Sequence, residues 1–158
     1  MDATVSVNEE ILYIAAATSS YVVNISNISN PTVIQNIENV VYGLAITSSI
    51  NGEYLFIQDY NVGVKIFDIS YNATNPKFIT YVQAKNNYEV VLSPNEQYLI
   101  SIDYNNDFKL VDISNINFPI TLNKGLSNIE SLAISQDGKT LYTPNGETGL
   151  LLVELTNS

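Results

Sequence analysis

Several residue types that carry common protein chemistry are absent from this sequence of 158 residues. It contains no cysteine, no histidine and no tryptophan, and it also lacks arginine. Without cysteine the chain can form neither a disulfide framework nor a reactive thiolate. Without cysteine and histidine it has no ordinary zinc or copper site, no Ser-His-Asp triad and no Cys-His dyad. These absences exclude the corresponding classes of enzyme.

Positive charge is scarce as well. Six basic residues, all of them lysine, stand against 16 acidic residues, which gives a net charge of −10. The lysines stand singly along the chain, at Lys65, Lys77, Lys85, Lys109, Lys124 and Lys139. Because a phosphate-binding surface needs clustered Lys and Arg, we expect neither nucleic acid nor an anionic membrane as a partner. A basic protein, a cation and a neutral glycan are compatible with this charge.

Long hydrophobic runs are also missing. The longest apolar runs hold about four to six residues, whereas a helix that crosses a bilayer needs about 20. Residues 1–4 show neither the basic region nor the apolar core of a signal peptide. We therefore predict no membrane insertion.

The residues that are abundant favour strands. Apolar residues make up 46% of the chain and charged residues 14%, and there are eleven Tyr and five Phe. A disordered chain lacks this content of apolar and aromatic residues. Ile, Val, Leu, Tyr, Phe and Thr dominate, and these residue types are enriched in β-strands. We expect an ordered, all-β protein.

Three sets of anchor residues recur with one period. The first set is Leu12, Leu55, Leu99 and Leu141, at spacings of 43, 44 and 42 residues. The second set is Ile25, Ile69, Ile113 and Leu155, followed in three copies by Pro31, Pro76 and Pro119. The third set consists of the segments GLAIT (43–47), EVVLS (89–93) and SLAIS (131–135), with TVSV (4–7) as a weaker match. A period of about 43 residues indicates four copies of one repeat.

Each repeat holds four short apolar segments separated by turn residues. In the second copy, the Asn51-Gly52 dipeptide is typical of a tight hairpin. Four antiparallel strands every 40–45 residues form one blade of a β-propeller. A β-sandwich, the rival architecture, predicts no fixed period with matching anchors. We predict an all-β propeller with blades at about 4–37, 41–82, 88–123 and 129–158, the last blade lacking its outer strand.

Four blades are few for a closed ring. The chain is therefore interpreted as part of a larger propeller, as a half-ring that dimerises, or as a compact four-blade ring. An open half-ring would expose two large apolar blade faces, which a soluble monomer should avoid. This favours the first two interpretations.

The sequence resembles the LVIVD repeat family. The matching text is VYGLAITSSINGEYLFIQDYNVGVKIFDISYNATNPKFI (41–79), with LISIDYNNDFKLVDISNINFP (99–119) in the third copy and VVNISNISNPTVI (22–34) in the first. The first copy departs from the pattern because Asn24 stands where the later copies have Asp68, Asp112 and Glu154. The resemblance implies a β-propeller, found mostly in surface and secreted proteins, without shared catalytic residues.

Two pairs of aspartates occupy equivalent repeat positions. We interpret Asp68 and Asp112 as turn caps rather than cation ligands, because Asn24 could cap the same turn without a charge. The other pair, Asp59 and Asp103, falls in the turn between the second and third strands, on the side of the inter-blade loops. Binding faces are commonly built from such loops, and Tyr offers contact area at low entropic cost. We therefore predict a partner-binding face formed by Tyr42, Asp59, Tyr60, Tyr88, Asp103 and Tyr104.

Other candidate sites carry weaker patterns. Asp103 and Asp107 flank one turn, but no Asp-x-Asp-x-Asp-Gly calcium loop is present. We predict no metal, no cofactor and no catalytic residues, because the acidic residues recur with the repeat as structural residues do. Three Asn-x-Ser/Thr sequons are candidate N-glycosylation sites, at Asn24, Asn27 and Asn72.

These observations predict a non-enzymatic scaffold or adhesion module with a protein or glycan partner, extracellular or at the cell surface. The first alternative is a purely structural unit that forms oligomers or filaments through open blade edges. The second is an enzyme with its site in the central channel of the propeller.

Overall fold

The computed structural model of the chain describes residues 1–84, 86–105, 108–122, 131–145 and 149–155. These residues form fifteen β-strands in four antiparallel sheets. The prediction of an all-β chain is confirmed. Within the described ranges no helix is long and apolar enough to span a membrane.

Each sheet is built from strands that follow one another along the chain, so each sheet is called a blade. Blade 1 consists of β1 (Asp2–Val5), β2 (Ile11–Ala15), β3 (Ser20–Asn24) and β4 (Thr32–Ile37). Blade 2 consists of β5 (Gly43–Ser48), β6 (Tyr54–Asp59), β7 (Gly63–Asp68) and β8 (Lys77–Gln83). Blade 3 consists of β9 (Asn87–Leu92), β10 (Tyr98–Asp103), β11 (Phe108–Asp112) and β12 (Ile120–Leu122). Blade 4 has three described strands, β13 (Ala133–Ile134), β14 (Thr140–Asn145) and β15 (Gly149–Glu154).

Consecutive blades pack face to face through three apolar clusters. The cluster between blades 1 and 2 includes Tyr13 and Ile57, and the cluster between blades 2 and 3 includes Phe56 and Val111. The third cluster joins blades 3 and 4. Successive side chains of a strand point to opposite faces of the sheet. Alternate residues of one strand therefore pack against the blade before and the blade after.

The middle strands of a blade are the most deeply buried. Every residue of β6 after Tyr54 is buried, and so is every residue of β7 before Asp68. The first strand of the blade, β5, is only partly buried. The middle strands have a partner strand on each edge, whereas the first strand pairs only with the second strand.

A serine-based turn repeats in all four blades, between the first and second strands. The backbone N–H groups of Ser6, Ser49, Ser93 and Ser135 donate to the carbonyl five residues later in every copy. These serines show which residues of the four first strands occupy equivalent positions. EVVLS and SLAIS end on this serine, whereas GLAIT ends two residues before it. The alignment of GLAIT with the other two segments was therefore wrong by two residues, because it matched apolar letters and not the turn.

Candidate functional site

Four tyrosines from blades 2 and 3 form a continuous series at one end of the sheets. The ring centroids of Tyr42 and Tyr60 lie 5.6 Å apart, those of Tyr60 and Tyr104 6.3 Å, and those of Tyr104 and Tyr88 5.2 Å. Tyr42 directly precedes β5 and Tyr88 is the second residue of β9, while Tyr60 and Tyr104 directly follow the ends of β6 and β10. We call this series the tyrosine ladder. All four members were among the residues predicted from the sequence.

The ladder is accessible to a partner. Tyr42 is 41% exposed and Tyr104 is 61% exposed, while Tyr60 between them and Tyr88 at the far end of the series are half-buried. Ring pairs at these separations and tilts are favourable aromatic contacts. The ladder therefore presents apolar ring surface to solvent with the rings already held against one another.

Backbone hydrogen bonds link the loops that carry the ladder. The Tyr60 N–H donates to the Tyr42 carbonyl at 2.9 Å, and the Asn86 N–H donates to the Tyr60 carbonyl at 3.1 Å. The Tyr104 N–H in turn donates to the Asn86 carbonyl at 3.2 Å. Asn86 adopts a φ of 62°, in the left-handed region that Asn tolerates better than most residues. These bonds join the turns of blades 2 and 3 through the loop between them.

Asp59 lies beneath the ladder rather than on its surface. Its side chain is fully buried, and its Oδ2 atom lies 2.9 Å from Lys65 Nζ. The carboxylate also accepts hydrogen bonds from the backbone N–H of Val41 at 2.9 Å and of Asn61 at 3.0 Å. Lys65 Nζ also donates to the carbonyl of Asn39 in the loop between blades. The pair thus fixes the two loops that hold Tyr42 and Tyr60.

The charge state of Asp59 follows from these contacts. Burial alone would raise the pKa of its carboxyl group, because a charge is costly in a region without water. The hydrogen bonds from Lys65, Val41 and Asn61 and the charge of Lys65 outweigh burial, so the pKa of Asp59 is lowered. Asp59 is therefore ionised at neutral pH and paired with Lys65.

The equivalent aspartate of blade 3 is more accessible. Asp103 is half-buried, and its Oδ1 atom accepts a hydrogen bond from the Asn105 N–H at 2.8 Å. Lys109, at the repeat position of Lys65, donates to the carbonyl of Gln83. Burial raises the pKa of Tyr88, and the negative charges of Glu89 and Asp103 raise it further. Glu89 and Asp103 thus place negative charge beside the Tyr88 end of the ladder.

A buried polar network ties blade 2 to blade 3 below the ladder. Ser101 Oγ donates to Gln58 Oε1 at 2.9 Å, and Gln58 Nε2 donates to the carbonyls of Asp59 and Ala84, each at 3.1 Å. Asn87 Nδ2 donates to Ser101 Oγ. Gln58, Ser101 and Asn87 are all buried. Sequence reasoning missed this network, although the polar Gln58 and Ser101 inside apolar strands were a signal that could have indicated it.

The interpretation of Asp68 and Asp112 as caps is confirmed. Each Oδ1 atom accepts hydrogen bonds from the N–H and hydroxyl of the serine two residues later, at 2.9 and 2.6 Å. Asn24 does the same for Ser26 at 2.9 and 2.7 Å. An amide oxygen therefore replaces a carboxylate oxygen in this turn without loss of a hydrogen bond.

The sequon asparagines lie at the other end of the blades, Asn24 as the last residue of β3 and Asn27 and Asn72 in the loops after β3 and β7. Asn27 and Asn72 are exposed and Asn24 is half-buried. Their glycosylation stays a prediction. Asp107 lies outside the described residues. Among the described residues no group of three or more acidic side chains is placed to hold a metal ion.

The stacked four-strand blades define a class of protein, the β-propeller, and two solved structures share the architecture. A candidate 6-phosphogluconolactonase from Bacteroides uniformis is 16% identical, with a TM-score of 0.73 over 98% of this chain and 52% of that chain. The hydrazine synthase of Kuenenia stuttgartiensis is 17% identical, with a TM-score of 0.67 over 98% of this chain and 51% of that chain. At such identities the likeness concerns the fold. This chain spans about half the length of the solved chains that it matches.

The repeat family follows from the sequence itself. The model of the LVIVD repeat matches residues 3–38, 43–88 and 95–122. The chain belongs to the LVIVD repeat family, as the resemblance indicated, and the propeller prediction is confirmed. No individual curated protein matches the chain.

Proposed function

We propose that this protein is a non-enzymatic interaction module that captures a partner on the tyrosine ladder. The observation that carries the proposal is the ladder itself, four contacting Tyr rings from two blades on one face. Tyr is enriched at binding surfaces because it offers a large, rigid, amphipathic contact area at low entropic cost. The flanking strands hold the rings on a fixed scaffold, which lowers the cost of ordering them on binding.

The chemistry around the ladder favours a basic protein segment as the partner. Glu89 and Asp103 place negative charge beside Tyr88, and the chain has a net charge of −10. A Lys or Arg side chain can rest on a Tyr ring and be attracted by the nearby carboxylates at the same time. Opposite net charges also raise the rate of encounter. A neutral glycan, which could stack on the same rings, is the competing partner.

The roles of the acidic side chains support a binding rather than a catalytic function. Asp68 and Asp112 accept hydrogen bonds within their own turns. Asp59 is paired with Lys65 below the surface. These carboxylates stabilise the fold. The names of the two structural neighbours are those of enzymes, but identities of 16% and 17% support only a shared fold.

Peptide selection tests the proposal. A random peptide library is selected on the full chain and counter-selected on the double variant Tyr60→Ala/Tyr104→Ala. We expect the recovered peptides to be rich in Lys and Arg and to bind the double variant at least about tenfold more weakly, the loss typical of interface hot spots. The matched control is Tyr71→Ala/Tyr81→Ala, which removes two exposed tyrosines outside the ladder.

The outcomes separate the site from the partner class. Peptides that bind the ladder variant as well as they bind the native protein would contradict the site. If neutral oligosaccharides bind in a ladder-dependent way and no basic peptide is recovered, the ladder is the binding site but its partner is a glycan. Circular dichroism of both double variants controls for folding.

We further propose an extracellular or cell-surface location. The sequons Asn24, Asn27 and Asn72 lie at the end of the blades opposite to the ladder, so glycans there would leave the ladder free. The intact mass of native material checks this directly, because each occupied sequon adds the mass of one glycan. An unmodified mass would contradict the glycosylation part of the proposal.

A further inference from the structure

Among the described residues, the last blade leaves one apolar face uncovered. Leu150 is 55% exposed and Leu152 is 59% exposed, and Tyr142 is exposed beside them. Tyr142 is the direct cross-strand partner of Leu152 in β14 and β15, so their side chains share one face of the sheet. The opposite face of the same blade packs on blade 3 through Leu141 and Val153.

These exposed residues occupy positions that are covered in the other blades. Counted from the repeat anchors, Tyr142 corresponds to Phe56, Leu150 to Val64 and Leu152 to Ile66. Phe56, Val64 and Ile66 are all buried in the cluster between blades 2 and 3. The free face of blade 4 is therefore the face that every earlier blade presents to the next one. We call it the leading face.

The first blade carries the complementary free face. Leu12 and Ile14 alternate with Ile11 and Tyr13, which pack against blade 2, and they therefore point to the other side of the sheet. They correspond to Leu55 and Ile57, which receive blade 1 in the cluster between blades 1 and 2. Two further apolar residues extend this face through cross-strand pairs, exposed Val5 opposite Leu12 and exposed Val33 opposite Val23. We call it the receiving face.

We infer that two copies of this chain close one propeller ring, with the leading face of each copy packed on the receiving face of the other. Consecutive blades join through a leading face and a receiving face. In the described sheets, the leading face of blade 4 and the receiving face of blade 1 each lack a partner blade. A twofold rotation about the propeller axis satisfies both faces of both copies, which gives a closed dimer. The chain aligns with 52% and 51% of two larger propeller chains, so two copies together hold about as much chain as one of those propellers.

This dimer does not involve the tyrosine ladder, which lies on blades 2 and 3. The two proposals therefore fail separately. Tyr60→Ala/Tyr104→Ala leaves dimerisation unchanged, and the variants below leave the ladder unaltered.

Sedimentation velocity of the 158-residue chain tests the inference. We expect a reversible dimer over about a hundredfold range of concentration, since mass action governs such an equilibrium. Leu152→Lys on the leading face and Ile14→Glu on the receiving face each raise the dimer dissociation constant about 30-fold or more, the effect of losing an interface hot spot. The matched control is Phe118→Lys, which alters an exposed apolar residue in the loop between β11 and β12 of blade 3. It leaves the dimer intact.

A mixing experiment gives the sharpest result. A heterodimer of Leu152→Lys with Ile14→Glu contains one unaltered interface and one in which the introduced lysine faces the blade that carries the introduced glutamate. Mixing the two monomeric variants therefore restores a dimer. If Ile14→Glu loses the β-sheet spectrum, Val5→Glu on the same face replaces it.

Three results would overturn the inference. A native chain that stays monomeric over the whole range means that a second copy does not cover the faces. A dimer that both charged variants leave intact is built on another surface. Open polymers in place of a dimer mean that the ring does not close.

Discussion

Blades 2 and 4 have second and third strands of equal length but differ in burial. β6 and β14 each hold six residues, as do β7 and β15. In blade 2 both faces are covered by neighbouring blades, whereas blade 4 is covered by blade 3 on one face. Phe56 is 1% exposed and Tyr142, at the same repeat position, is 36% exposed. The repeat sets which positions are apolar, and the neighbouring blade sets whether they are buried.

The two blades also differ in their polar residues. Blade 2 carries Gln58, Asp59 and Lys65, which are buried and hydrogen-bonded beneath the ladder. At the positions of Gln58 and Lys65, blade 4 has Pro144 and Leu151. Buried polar networks help to specify one arrangement of neighbouring elements. The ladder is thus supported by buried polar residues that blade 4 does not have at the same positions.

The largest expected effect comes from the matched core positions. Phe56→Ala removes a fully buried ring between two blades and lowers the free energy of unfolding by about 3–5 kcal/mol. Tyr142→Ala, measured at a low protein concentration, lowers it by less than about 1 kcal/mol, the usual range for exposed positions. Urea unfolding followed by circular dichroism measures both. Equal losses would show that blade 4 is as well covered as blade 2.

The glycines that open the third strands come next. At Gly63 an added Cβ would lie 2.0 Å from the Val82 carbonyl oxygen and 2.3 Å from the Ala84 nitrogen, at a φ of +135°. The equivalent Gly149 has a φ of +86°, but no atom of the described residues lies within 4 Å of an added Cβ. We expect Gly63→Ala to cost about 3 kcal/mol or more and Gly149→Ala about 1 kcal/mol, the strain of the backbone alone. Similar melting temperatures for the two variants would contradict this difference.

The period and the strand content of the fold were predictable from the sequence. The leucine anchors recur because one interior position must be filled in every blade, and all but the partly buried Leu12 are fully buried. The alignment of the first strands was not predictable from apolar letters, because those strands are only partly buried. Ser6, Ser49, Ser93 and Ser135 recur at the same spacings as the leucines and would have corrected it.

The candidate site was predictable in part. The four tyrosines flank strand ends on the same side of consecutive blades, and that placement follows from strand order alone. The burial of Asp59 was missed, because its partner Lys65 lies across a turn whose geometry the sequence does not specify. The bond between Ser101 and Gln58 was missed for a related reason, since contacts between blades depend on the stacking of whole sheets.

The pH dependence of stability tests the buried ion pair. The pKa of Asp59 is lowered in the folded protein, so its contribution is complete above the unfolded value of about 3.9 and is lost as the pH falls through the folded pKa. We expect Asp59→Asn to be less stable than the native protein by about 2 kcal/mol at neutral pH, the value of a hydrogen bond to a charged group. This difference shrinks as the pH is lowered below about 4. Thermal melts at a series of pH values measure it, and a difference that stays constant would mean that Asp59 is not ionised in the fold.

The smallest expected effect concerns the serine turns. Ser49 Oγ accepts hydrogen bonds from the backbone N–H of Glu53 at 3.0 Å and of Tyr54 at 2.8 Å, and it is buried. Ser135 Oγ makes the same pair of contacts at 3.2 and 2.9 Å in the half-exposed turn of blade 4. Water can replace a lost hydroxyl only where it has access, so Ser49→Ala costs about 1–2 kcal/mol and Ser135→Ala about 0.5 kcal/mol. Native-state hydrogen exchange of the Tyr54 and Thr140 amides resolves each turn separately. If both amides exchange faster by the same factor, solvent access does not explain a difference between the serine turns of blades 2 and 4.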